Sequence, residues 1–185
     1  MLIRRSTEVT MRLWSGGTTR ELLIAPEGSD YARRDFHIRL STATVESEES
    51  MFTPLIGYER HLMVLEGQAH LVHQGQRSDR LSRFQTSTFD GAWQTQSFGL
   101  YRDFNLILRY GNRGYISHQH LSLRETLHLS REEALVRAIY LERGRLELVN
   151  GDIVNCQDML MVEPGDRLFL RALESSDLIL ATFTA

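Results

Sequence analysis

The stretch Phe36-His37-Ile38-Arg39-Leu40-Ser41 alternates apolar and polar residues one by one. Phe36, Ile38 and Leu40 share one face, and His37, Arg39 and Ser41 share the other. Successive strand side chains point to opposite faces, so this is the pattern of a β-strand. Working outward, residues 103–110 repeat it: Phe104, Leu106, Leu108 and Tyr110 oppose Asp103, Asn105, Ile107 and Arg109. Residues 61–65 and 69–72 are apolar runs separated by Glu66-Gly67-Gln68, which predicts a hairpin. Turn signals recur at Gln74-Gly75, Asp90-Gly91, Arg143-Gly144, Asn150-Gly151 and Pro164-Gly165-Asp166. Gly, Asn and Asp tolerate the positive φ that tight turns require. Many short strands between such turns predict an all-β sandwich or barrel. Ser130-Arg131-Glu132-Glu133 fits a helix capping box, whereas 134–141 reads as a strand running into the Gly144 turn.

Composition narrows the function classes. The chain has 185 residues, 42% of them hydrophobic and 24% charged, as in ordinary globular proteins. All 21 basic residues are arginine, which removes lysine Schiff-base chemistry and a P-loop lysine. The single cysteine, Cys156, excludes an internal disulfide and a multi-cysteine zinc site. The longest apolar runs are four residues, such as 22–25, far below the roughly 20 residues of a membrane-spanning helix. No signal-peptide pattern follows Met1, so a cytoplasmic protein is expected. The net charge of -3 argues against nucleic acid as a partner.

Two segments look like copies of one plan. An apolar strand ends in Leu65-Glu66-Gly67, and another ends in Leu141-Glu142-Arg143-Gly144. Two copies of one β-barrel in a chain account for this, although any two hairpins share such features.

The densest polar cluster is Trp14-Ser15-Gly16-Gly17-Thr18-Thr19-Arg20-Glu21. Paired glycines let a backbone approach another group closely. Such a segment presents amides and hydroxyls to a small anion, or is a turn leading into a strand. This segment, with Leu22, resembles the tryptophan, glycine-run, threonine and glutamate motif of the HutD family, which includes the Ves proteins. Later blocks keep that family's order: Phe36-His37-Ile38-Arg39-Leu40-Ser41-Thr42-Ala43; Phe52-Thr53-Pro54-Leu55-Ile56-Gly57-Tyr58-Glu59-Arg60 with Val64-Leu65-Glu66-Gly67; and Phe89-Asp90-Gly91 with Asp103-Phe104-Asn105-Leu106. Together they span roughly residues 14–109, in an order that makes the match specific. The chain departs from the family pattern in having Ser15 and two glycines where an asparagine and three glycines are usual.

The resemblance implies a bicupin: two cupin-type, RmlC-like jelly-roll β-barrels in one chain. They are expected over residues 1–115 and 116–185, with strands open to exchange between them. It further implies a cytoplasmic, non-enzymatic protein of histidine utilisation or related amino-acid catabolism. Its partner would be a small carboxylate such as formylglutamate or urocanate, without a cofactor. Short edge strands leave a homodimer open to it.

The residues themselves also suit a carboxylate. Asp103 and Asn105 share a strand face with Arg109 further along, and Arg39 lies on the polar face of another strand. An inward Arg39 can pair bidentately with a carboxylate, with Arg60 as a second anion contact. Thr18, Thr19 and Asn105 can orient the ligand by hydrogen bonds. Glu21 and Asp103 are suited to holding the arginines, and Arg39 paired with either as a plain structural ion pair is the competing reading. A rival site is His118-Gln119-His120 with Glu125. Two histidines one residue apart share a strand face and can reach one metal. That reading makes the chain a metal-dependent dioxygenase or isomerase, but no histidine follows His128 to complete a second motif.

Overall fold

The computed structural model describes residues 2–130 and 135–184. The expected capping box at 130–133 therefore falls mostly outside the described residues. The strands, in chain order, are β1 (Leu2–Arg4), β2 (Met11–Trp14), β3 (Gly17–Ala25), β4 (Ile38–Val45), β5 (Glu49–Met51), β6 (Tyr58–Gly67), β7 (Ala69–His73), β8 (Arg77–Leu81), β9 (Thr86–Asp90), β10 (Thr95–Phe98) and β11 (Tyr101–Arg109). They continue as β12 (Gly114–Leu121), β13 (Thr126–Leu129), β14 (Leu135–Arg143), β15 (Arg145–Leu148), β16 (Ile153–Asn155), β17 (Met159–Val162), β18 (Leu168–Ala172) and β19 (Ser176–Thr184). Ser6–Glu8 forms a short 3-10 turn. No helix among the described residues is long and apolar enough to cross a membrane.

The chain divides into two compact units, Thr10–Arg113 on one hand and Met1–Val9 with Gly114–Ala185 on the other. In the first, a six-stranded sheet runs β2-β3-β4-β11-β6-β9 and a four-stranded sheet runs β5-β10-β7-β8. In the second, the sheets run β1-β17-β14-β19-β12 and β13-β18-β15-β16. The order β4-β11-β6-β9 in one unit is the order β12-β19-β14-β17 in the other. The four-stranded sheets correspond strand for strand as well. Each unit thus has its own two-sheet architecture and its own core. Val45, Leu62, Val64, Leu71, Leu81 and Phe89, drawn from both sheets, meet in the first. Leu127, Ile139, Leu146, Leu160, Leu170 and Leu178 do so in the second. Apolar residues at every second position make these inner faces, as the alternation predicts.

One sequence expectation is corrected. Residues 61–65 and 69–72 do not form a hairpin, because β6 pairs with β9 and β11, whereas β7 pairs with β8 and β10. The chain turns a corner between the two sheets at Gly67, whose φ is +77°. A Cβ there would sit 2.3 Å from the Leu100 carbonyl oxygen. Gly144, with φ +96°, makes the matching corner between β14 and β15. A hairpin and a corner put the same apolar side chains on the same core, so alternation alone does not separate them.

Candidate functional site

The site is built on four neighbouring strands of the six-stranded sheet. Their register lines side chains up in rungs. Thr19, Ala43, Asp103 and Val64 form the first. Glu21, Ser41, Asn105 and Leu62 form the second, and Ile24, Arg39, Ile107 and Arg60 the third. Residues in register across a sheet share a face, so polar groups far apart in sequence gather on one side. Over them lies a cavity of about 280 Å3. Arg12, Leu13 and Trp14 of β2, Val45 of β4, Met51 of β5, Tyr31, Phe52 and Thr53 complete its walls.

Of the residues expected to bind a ligand, Thr19, Glu21, Arg39, Arg60, Asp103 and Asn105 line this cavity, and Thr18 does not. Thr18 is one position out of step with Thr19 on β3 and so faces the other way. Arg109, further along β11, does not reach the cavity either and is exposed. Sequence reasoning missed Tyr31, Phe52, Ser41 and Trp14 as wall residues. Ser41 shares the parity of Arg39 and was legible from it. Tyr31 lies in the 26–37 connection and carries no periodic signal. The paired glycines serve the strand turn: Trp14 pairs with Gly17, and a Cβ on Gly17 would meet the Thr44 carbonyl oxygen at 2.0 Å.

The two arginines differ. Arg39 Nε donates to Glu21 Oε2 at 2.9 Å, and Nη1 donates to Ser41 Oγ at 2.9 Å. Its guanidinium lies 4.6 Å over the Tyr31 ring, and Arg34 lies 4.7 Å over the same ring. Arg39 is therefore already paired. Arg60 is buried, and its guanidinium rests 4.6 Å from the Phe52 ring centre and 5.4 Å from that of Phe89. Its Nε has no hydrogen-bond partner among the described residues. Burial pulls its pKa below the usual arginine value.

Asp103 is 3% exposed, and its Oδ1 has no hydrogen-bond partner among the described residues. Burial pushes its carboxyl up to about 7, against the pull of Arg60, Arg39 and Arg102. Asn105 Oδ1 and Trp14 Nε1 are likewise buried without a partner. Native interiors leave few polar groups unsatisfied, and here four of them gather in the lining of one cavity. With Glu21 compensating Arg39 and Asp103 part-neutral near pH 7, the cavity carries excess positive charge, at the buried Arg60 and at the exposed Arg12.

The rival histidines are placed differently. His118 Nε2 and His120 Nδ1 each lie 3.0 Å from Asp177 Oδ1 on the adjacent β19. Glu125 Oε2 instead accepts the Ser122 backbone N–H at 2.7 Å, closing a turn. Among the described residues no three His, Cys, Asp or Glu side chains are placed to hold one metal ion. His61 and His73 bond the hydroxyls of Thr88 and Thr95 at 2.9 and 2.8 Å.

Comparison with solved structures shows the fold. A conserved protein of unknown function, PA5104 from Pseudomonas aeruginosa PAO1, superposes with a TM-score of 0.83 at 24% identity, covering 100% of this chain and 98% of that one. HutD from Pseudomonas fluorescens SBW25, from a formate condition, gives 0.73 at 22% identity, covering 97% of each chain. The bacterial pirin YhhW from Escherichia coli, in complex with nickel(II), gives 0.76 at 12% identity, covering 98% of this chain and 97% of its own. The fold is thus the all-β, two-barrel cupin type. No curated protein sequence matches significantly. The HutD family model, in contrast, matches residues 6–180, nearly the whole chain. The chain therefore belongs to the HutD family.

Proposed function

We propose that this protein binds a small carboxylate in the cavity over β3, β4, β11 and β6, and acts as a non-enzymatic modulator of histidine utilisation or related amino-acid catabolism. Formylglutamate and urocanate are the first candidates. The observation that carries the reading is Arg60, a buried guanidinium whose Nε has no partner in a cavity where Arg39 is already neutralised by Glu21. A buried cation held by no ion pair is costly, and a carboxylate supplies both charge and a matching pair of acceptors. Asn105, Thr19 and Trp14 add polar groups around it, and Leu13, Met51 and Phe52 add apolar surface. The proposal places the protein in the cytoplasm, where such acids are made and consumed.

Thermal-shift titration against formylglutamate, urocanate, histidine and glutamate tests it. A ligand at about 100 times its dissociation constant adds roughly 2.7 kcal/mol, a rise of several degrees in melting temperature. A rise with one compound that disappears in Arg60→Met supports the reading. No rise with any carboxylate, or a rise unaltered in Arg60→Met, removes it.

A further inference from the structure

The cavity contains an internal acid whose place in it is not structural. Asp103 makes no ion pair within hydrogen-bonding distance among the described residues, and its Oδ1 is buried and unpartnered. The charged and titratable groups that line the cavity with it or flank it in the chain come from six elements, the exposed Arg12 of β2 among them. Arg60 faces it from β6, Arg39 from β4, and Tyr31 from the 26–37 connection. Glu21 of β3 is tied to Arg39. Arg102 and Tyr101 are its neighbours on β11, Arg102 lying 3.8 Å from Glu66 and the Tyr101 hydroxyl 2.6 Å from Ser97 Oγ. Arg39 is paired with Glu21, Arg102 lies near Glu66, and Arg12 is exposed to solvent, so Arg60 is the buried cation of the cavity with no carboxylate at hydrogen-bond distance. Asp103 is thus the internal anion left to balance Arg60.

A ligand carboxylate arriving at Arg60 changes that balance. Two anions then face the one buried arginine left free of Glu21, and like charges at close quarters do not both stay ionised. We propose that Asp103 is a stand-in counter-ion for Arg60, and that an incoming carboxylate displaces its charge by driving a proton from solvent onto it. Binding is then coupled to proton uptake. This rests on the carboxylate reading of the cavity and adds the acid that answers the ligand. Burial already raises the Asp103 carboxyl to about 7, so the proton is exchanged around neutral pH. Below that range Asp103 is protonated beforehand and binding takes up nothing. Above it, every binding event must capture a proton, and affinity falls as pH rises.

Calorimetric titration with sodium formate as probe tests this, because formate does not itself titrate near neutrality. Between about pH 6 and about pH 8 the dissociation constant should rise roughly tenfold. Runs in two buffers of different ionisation heat should give close to one proton taken up at the higher pH and close to none at the lower. In Asp103→Asn the pH dependence should flatten to within about twofold. Should that variant not fold, the wild-type proton count decides by itself. Formate binding equally at both pH values without proton uptake overturns the proposal and leaves the carboxylate reading standing. So does a pH dependence that survives in Asp103→Asn, since the proton then belongs to another group. Formate failing to bind at either pH removes the carboxylate reading, and this proposal with it.

Discussion

Arg39 and Arg60 stand in one rung on either side of Ile107, yet their surroundings give them opposite roles. Removing Arg60 should abolish carboxylate binding, because a charge-assisted bond is worth about 1.5–3 kcal/mol, a loss of tenfold or more in affinity by titration. At about pH 5, where the Asp103 carboxyl is protonated, Arg60→Met should not lower the melting temperature of the ligand-free protein, since a buried charge gives way to an apolar chain and no buried anion is left unbalanced. Glu21→Gln works the other way. It leaves Arg39 charged and half-compensated, and should cost about 1–2 kcal/mol in urea unfolding, discounted because Glu21 is partly exposed. Asp103 sets a pH dependence of stability. Its carboxyl is raised to about 7 in the folded protein, well above its unfolded value. Between about pH 4 and about pH 7 the unfolded chain gives up this proton while the folded chain keeps it, so stability falls as pH rises and levels off above about 7. Asp103→Asn should remove that slope from the urea midpoints. The face shared by Asp103 and Asn105, and the position of Arg39 opposite Leu40, were legible from parity alone. Which arginine would be neutralised was not, because Glu21 and Arg39 are brought together only by the β3–β4 register.

Elements in this chain end where glycine lets them turn. Gly67 and Gly144 each carry the chain from one sheet to the other within their units, at φ +77° and +96°. A Cβ at Gly67 would strike the Leu100 carbonyl oxygen, and one at Gly144 the Ser176 Oγ at 2.1 Å. Gly75, at φ +73°, has nothing within 4 Å of such a Cβ. Gly75→Ala should therefore cost only the left-handed backbone penalty of about 1–2 kcal/mol. Gly67→Ala should cost at least about 3 kcal/mol, because backbone must move as well. Urea midpoints of the two variants check the difference; equal costs would mean that the corner is not sterically fixed. The echo of Leu65-Glu66-Gly67 in Leu141-Glu142-Arg143-Gly144 was visible in the sequence because turn chemistry is local. Sheet membership was not visible, which is why β6 and β7 read as a hairpin.

Across the whole molecule the two units should respond to pH in opposite directions. The second unit is tied to its N-terminal segment at Asp158. Oδ2 accepts from Arg5 Nη1 at 2.9 Å and Oδ1 accepts from the Ser6 backbone N–H at 2.8 Å. Burial alone would raise this carboxyl, but bonds from Ser6, Asn155 and Arg5 outweigh it and hold it below the usual value. That contribution is present above about pH 4 and lost as pH falls through the folded value. Hydrogen exchange should show β1 and β17 losing protection in acid, while β4 and β11 lose it as pH rises toward 7. Uniform loss across both units at either extreme would contradict this assignment. The sequence by itself determined the all-β class, the doubled plan and the polar faces that carry Arg39, Asp103 and Asn105, because alternation and turn chemistry act over a few residues. Only the tertiary structure decided that β3, β4, β11 and β6 lie side by side, that Tyr31 and Phe52 wall the cavity, and that Arg60 Nε, among the described residues, is left without a hydrogen-bond partner. Those facts depend on strand register between segments tens of residues apart, and pairing partners at that distance are chosen by the packing of the whole barrel rather than by any local pattern.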